Sequence, residues 1–331
     1  MDDKGDQESA LATIQKSVEI YREMSSYDPG AIKLKKSLGS TLKKMARYLR
    51  AVGKRKEAVD VIQESVDIFR AQAEKEPEIF IPCLATALCD LTLHICGTYT
   101  DQNERALASG QESVSLYRQL AAANPDEYKK DLALALNNVA NRFYLVGDTE
   151  TALASITESL DIYKDLTKKN PTAYDHKVAD GYFNLSVFLN CAGRKQESIE
   201  AIQKATDMHR ALAHVNPDVF DKELALSLRV LSSRLKGVGR KDEALVALQE
   251  AAEIKLDLAA KNPIVTGPKP GQPVLQGVRS LDGNDTATLT EDPLSALKEM
   301  VQTYARLFKQ DPDKFRPHLE RSLKALKQMM L

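Results

Sequence analysis

The sequence predicts an all-α solenoid of stacked helical hairpins, and three periodic features predict it. Proline steps at Asp28-Pro29, Glu76-Pro77, Asn124-Pro125, Asn170-Pro171, Asn216-Pro217, Asn262-Pro263 and Asp311-Pro312 recur every 48, 48, 46, 46, 46 and 49 residues. Gly53, Gly147, Gly193 and Gly239 stand between them, the last three spaced 46 and 46. Between these marks apolar residues recur three and four apart, as an amphipathic helix requires. A period of this size belongs to repeat architectures, in which each unit buries its apolar face only by stacking on its neighbours. Residue number then counts repeats, so 331 residues need not form several globular domains.

Residues 1–26 hold a second-helix sequence, LATIQKSVEIYREM, without a first helix before it. Residues 27–263 are expected to form five hairpins, of which the third is clearest. There Asn124 is placed to cap a first helix, Pro125 suits the first helical position, and Asp126 with Glu127 complements the positive end of the dipole. Leu132, Leu136, Val139, Ala140 and Phe143 form the apolar stripe. Gly147 ends that helix in the left-handed conformation, the role also expected of Gly53, Gly193 and Gly239. The second helices carry Ala58, Ala106, Ala152, Ser198 and Ala244 in register, small residues that let two helices approach closely. The second hairpin has extra residues around Gly97 to Glu104, and Gly110 replaces a bulky residue, so it is expected to be the loosest.

Residues 264–292 are rich in Gly, Pro, Thr and Asp and read as a flexible linker in place of a first helix. Its acidic Asp282, Asp285, Glu291 and Asp292 could alternatively fold back as an internal ligand. Residues 293–331 regain helical character as a partial repeat and end on the apolar Met329, Met330 and Leu331. The unpaired helices at both ends suggest a piece of a longer array, or ends that pack on a partner.

Composition narrows the function. With 46 basic and 47 acidic side chains the net charge is −1, which does not suggest general nucleic-acid affinity. The acidic start MDDKGDQESA and the lack of a long apolar run suggest a cytoplasmic protein without a membrane span. Cys83, Cys89, Cys96 and Cys191 form no CxxC pair and have no His at zinc-ligand spacing, so no metal or disulfide framework is expected. His94, His176, His209, His214 and His318 are scattered over different units. No phosphate loop, dinucleotide fingerprint, HExxH, GxSxG or EF-hand pattern occurs, so no enzyme activity and no cofactor are expected.

Leu136, Val139, Ala140, Phe143, Gly147, Ala152, Ile156 and Ser159 fall at the spacing of the tetratricopeptide repeat signature. Leu42, Met45, Ala46, Leu49, Gly53, Ala58 and Ile62 repeat it, as do Leu228, Leu231, Ser232, Leu235, Gly239, Ala244 and Leu248. The fourth unit keeps Tyr182, Leu185, Ser186, Leu189, Gly193, Ser198 and Ile202. The chain therefore resembles the tetratricopeptide family over roughly residues 8 to 263, with units about twelve residues longer than the usual 34. It is similar to the long-repeat, kinesin-light-chain-like branch, whose LNNLA is matched by LNNVA at Leu136 to Ala140. That branch also occurs in large fungal and bacterial signalling proteins.

The resemblance implies a right-handed superhelix whose first helices line a concave groove. In this chain that would place Lys43, Arg47 and Arg50 there from the first unit, and Asn137, Asn141 and Tyr144 from the third. Phe183, Val187 and Asn190 would follow from the fourth, and Arg229, Ser233 and Lys236 from the fifth. Of the branch's asparagine ladder only Asn137 is matched; Lys43, Cys89, Phe183 and Arg229 hold the other positions. The expected function is a non-catalytic scaffold or sensor arm that captures a protein or peptide, favouring an acidic or phosphorylated segment. The alternatives are a regulatory segment of a larger NTPase- or protease-containing signalling protein, and a helical-repeat nucleic-acid binder.

Overall fold

In a computed structural model the described residues are 3–28, 30–95, 100–261 and, within 301–330, all but 303, 306, 307, 310 and 311. They form helices α1 (Asp3–Tyr27), α2 (Ile32–Ala51), α3 (Arg55–Ala73), α4 (Pro77–His94), α5 (Thr100–Ala123) and α6 (Pro125–Leu145). Next come α7 (Thr149–Lys169), α8 (Pro171–Cys191), α9 (Lys195–Val215), α10 (Pro217–Gly237), α11 (Lys241–Lys261) and α12 (Pro312–Met330). No strand occurs among the described residues. The segment expected as a linker, 264–292, lies outside them, as does Cys96.

The chain divides into two compact units, one built on Met1–Asn170 and the other beginning at Pro171. In the first, α1 through α7 pack each on the next, and the first helices α2, α4 and α6 also touch in succession. In the second, α8, α9, α10 and α11 pack in the same sequential way.

Local chemistry accounts for the helix ends. Pro77, Pro125 and Pro217 open α4, α6 and α10, where a missing N–H costs nothing. The four expected glycines alone have positive φ among the described residues, from 74° at Gly193 to 89° at Gly53. Each closes its hairpin by one pattern: Lys54, Asp148, Arg194 and Arg240 donate backbone N–H to Leu49, Phe143, Leu189 and Leu235 carbonyls at 2.8, 2.9, 2.9 and 3.0 Å. Asn124 departs from expectation. Its side chain makes no cap bond and instead donates to Glu127 Oε2 at 2.7 Å, whereas Asp148 does cap α7 by accepting from Thr151 N–H at 3.1 Å.

Two further devices hold the first unit. Ser65, Ser113 and Ser159 on the second helices donate to the Gly39, Ala85 and Ala133 carbonyls of the paired first helices at 2.9, 2.8 and 2.6 Å. All three serines are fully buried, so each hydroxyl needs that partner. Between successive second helices, Arg22, Arg70 and Arg118 pair with Glu64, Glu112 and Glu158, each at 2.6 Å. Arg210 and Glu250 repeat the pair in the second unit at 2.9 Å. Such exposed pairs are worth about 0.2–1 kcal/mol each, so their contribution is register more than stability.

At Gly110 the second hairpin is closely packed, while residues 97–99 of its turn lie outside the described residues. Gly110 is buried, and a Cβ there would stand 2.9 Å from Val139 Cγ2. The missing side chain lets α5 come close to α6.

A candidate partner-binding face

Helix α2 carries Lys33, Lys35, Lys36, Lys43, Lys44, Arg47 and Arg50 and no acidic residue. Leu38, Gly39, Leu42, Ala46 and Leu49 hold its buried side. That anchoring sends Lys36, Ser40, Lys44 and Arg47 to exposed positions.

The three expected cations of this helix differ in availability. Lys43 is half-buried and pairs with Asp90 of α4 at 3.4 Å. It also acts on Asp131 of α6, whose carboxyl burial pushes up while the charges of Lys130 and Lys43 pull it back. Lys43 is thus mainly an internal counter-ion. Arg50 Nη1 donates to the Leu93 carbonyl at 2.9 Å, which ties the end of α2 to α4. Arg47 remains exposed and makes no ion pair among the described residues. Lys36 and Lys44, absent from the expected set, share that condition; the all-basic composition of α2 was the signal that could have found them.

On α6, Asn137, Asn141 and Tyr144 are half-buried. Asn141 Nδ2 donates to the Asn137 carbonyl at 3.0 Å, so one of its two amide N–H donors is used within the helix while its Oδ1 accepts no bond among the described residues. The neighbouring Asn138 is buried and donates to Cys89 Sγ at 3.2 Å. Burial pushes the Cys89 thiol up to about 12, which makes it an inert core group. The second asparagine of LNNVA is therefore structural.

In the second unit Phe183 and Val187 do not offer a surface; they are 4% and 2% exposed. Helix α8 is apolar around most of its circumference, with Val178, Ala179, Phe183, Val187, Phe188 and Leu189 all buried, and a helix of that kind cannot keep one hydrophobic flank in water. Asn190 and Arg229 are half-buried, while Ser233 and Lys236 are exposed.

The same unit holds a buried polar cluster. Ser227 Oγ lies 2.8 Å from His209 Nδ1, and His209 Nε2 lies 3.6 Å from Asp180 Oδ1. These are the residue types of a hydrolytic triad, but Ser227 is fully buried and His209 is 3% exposed, so no substrate carbonyl reaches the hydroxyl. His209 is a satisfied core histidine.

Three solved structures are similar to this arrangement. BtubC (BKLC) from P. vanneervenii superposes with a TM-score of 0.56 at 18% identity, covering 79% of this chain and 94% of that one. The apo form of RapI gives 0.52 at 13% identity, covering 88% and 98%. The nearly identical TPR-like repeats of a Podosopora anserina kinesin-light-chain-type protein give 0.50 at 15%, covering 67% and 96%. The fold is that of tetratricopeptide-like repeats. No family model and no curated protein sequence matches the chain, so the likeness is one of fold. Within this chain the geometry that recurs from hairpin to hairpin lies in the closures and the buried small residues, whereas the acid-free run of cations lies on α2. No helix of the described residues is long and apolar enough to cross a membrane, and no cluster of metal-ligating side chains occurs among them.

Proposed function

We propose that this chain is a non-catalytic protein-interaction module that captures an acidic protein segment on the α2 side of its first unit. The observation carrying this reading is α2 itself, seven cations without an acid, of which Lys36, Lys44 and Arg47 stand exposed and unpaired. Packed helices hold these charges in place, which lowers the ordering cost of binding. Arg47 can grip a carboxylate or phosphate with two N–H groups, and the lysines add point charges. Asn137 and Tyr144 on α6, and Arg229, Ser233 and Lys236 on α10, are proposed as further contacts within their own units.

The test is fluorescence anisotropy with a labelled Asp/Glu-rich peptide against the chain and its Lys36→Glu/Lys44→Glu/Arg47→Glu variant, with single-stranded RNA as a second probe. The expected result is salt-sensitive peptide binding that the variant weakens on the order of tenfold to a hundredfold, as three exposed ion pairs would. Equal binding by both proteins, or tighter binding of the RNA than of the peptide, overturns the reading.

A further inference from the structure

We propose that the outward face of α1 is a self-association surface, which takes α1 of a second copy of this chain, antiparallel, across a two-fold axis near Ile20. Leu11, Val18 and Ser25 hold the buried side of α1, and the opposite side is exposed. There Thr13, Lys16, Ile20, Glu23, Met24 and Tyr27 recur three and four apart, with Ile20 at 55%, Met24 at 45% and Tyr27 at 81% exposure. From Thr13 to Tyr27 the stripe runs about 21 Å along the helix, and its large apolar side chains stand in water.

The ladder of ion pairs between second helices shows what this face does not suit. Glu64, Glu112 and Glu158 hold one register position of α3, α5 and α7, and each pairs with an arginine of the second helix before it. In α1 that position is Lys16, 48 residues before Glu64. A further repeat of the same kind would bring its arginine against this lysine, so the face calls for a partner that offers an acid there.

The stripe carries that acid itself. Lys16 stands four residues before Ile20 and Glu23 three after it, on the same flank of the helix, and neither makes an ion pair among the described residues. A two-fold axis near Ile20 therefore brings Lys16 of each copy beside Glu23 of the other. An isologous interface must be complementary to itself, and this pairing forms two bridges at once.

Sizes match in the same register. Met24 and Tyr27 of one copy come over Ser17 and Thr13 of the other, whose short side chains leave room. Thr13 Oγ1 already donates to the Ser9 carbonyl at 3.0 Å and Ser17 Oγ to the Thr13 carbonyl at 3.1 Å, so covering them strands no hydroxyl proton. Ile20 meets Ile20 at the centre, and the charge pairs flank that apolar contact.

The experiment is sedimentation equilibrium of the full chain from about 1 to about 200 μM, a range that suits an interface of small area. A reversible monomer–dimer equilibrium is expected, which Ile20→Glu, Lys16→Glu and Glu23→Lys each weaken at least tenfold, because a buried contact is lost or attraction turns to repulsion. Mixing the Lys16→Glu chain with the Glu23→Lys chain should restore dimers, since each then supplies the charge that the other lacks. The substituted residues are exposed, and circular dichroism confirms that the variants are folded. A chain that stays monomeric throughout the range, association that continues beyond the dimer, or a dimer that Ile20→Glu leaves unchanged overturns the proposal. Failure of the mixed charge variants to form dimers overturns it as well.

Discussion

Gly110 of α5 and Val139 of α6 meet with no room for a side chain between them: a Cβ on residue 110 would stand 2.9 Å from Val139 Cγ2 and 3.2 Å from Thr92 Cγ2. A second such contact joins Gly39 of α2 to the Phe69 ring of α3, and there a Cβ would overlap the ring carbons. Alanine in mid-helix gains about 1 kcal/mol over glycine, while overpacking costs about 1–3 kcal/mol, so the sign depends on what can move. Phe69 is fully buried against Phe80, with ring centroids 6.1 Å apart, and has nowhere to turn. Gly39→Ala is therefore expected to lower stability by about 2 kcal/mol or more. Gly110→Ala should cost less, about 1 kcal/mol, because the methyl groups of Val139 and Thr92, not a trapped aromatic ring, must give way. Urea denaturation of both variants checks the order; a costlier Gly110→Ala would contradict it.

The turn glycine Gly147 poses a different question, because nothing lies within 4 Å of where its Cβ would be. Its φ of +88° is then the sole penalty. Gly147→Ala is expected to cost about 1–2 kcal/mol, and Gly147→Asn less, since asparagine tolerates the left-handed region. Equal losses for Ala and Asn in thermal or urea unfolding would show that the closure, not the backbone angle, is what the glycine serves.

The pairing of Lys43 with Asp90 and its influence on Asp131 give a pH dependence. Burial is the main cause that raises the Asp131 carboxyl above its unfolded value, so the folded state favours its protonated form. The penalty for ionising it is absent below the unfolded pKa of about 3.9 and grows as pH rises through the folded value. Asp131→Asn is expected to stabilise the protein at pH 7 and to lose that advantage as pH falls toward 4. In a Lys43→Ala background the gain should be larger, because the offsetting charge is gone. Stability curves at several pH values check both statements; an advantage for Asp131→Asn that persists unchanged at pH 4 would reject the electrostatic cause.

The sequence by itself determined the helices, their starts at proline and their turns at Gly53, Gly147, Gly193 and Gly239. Those features rest on local sterics: a fixed proline φ and a glycine free of Cβ act within a few residues. The register of small residues carried the repeat fold for the same reason. Tertiary structure alone decided which α2 cations remain available. Lys43 and Arg50 are engaged by Asp90 and Leu93, more than forty positions away in the chain, while Lys36, Lys44 and Arg47 are not. It also decided that Phe183 is core and that Gly110 marks a tight joint, not a slack one. Burial, ion pairing and close approach depend on neighbours brought together by folding, and no spacing along the chain encodes how much room those neighbours leave.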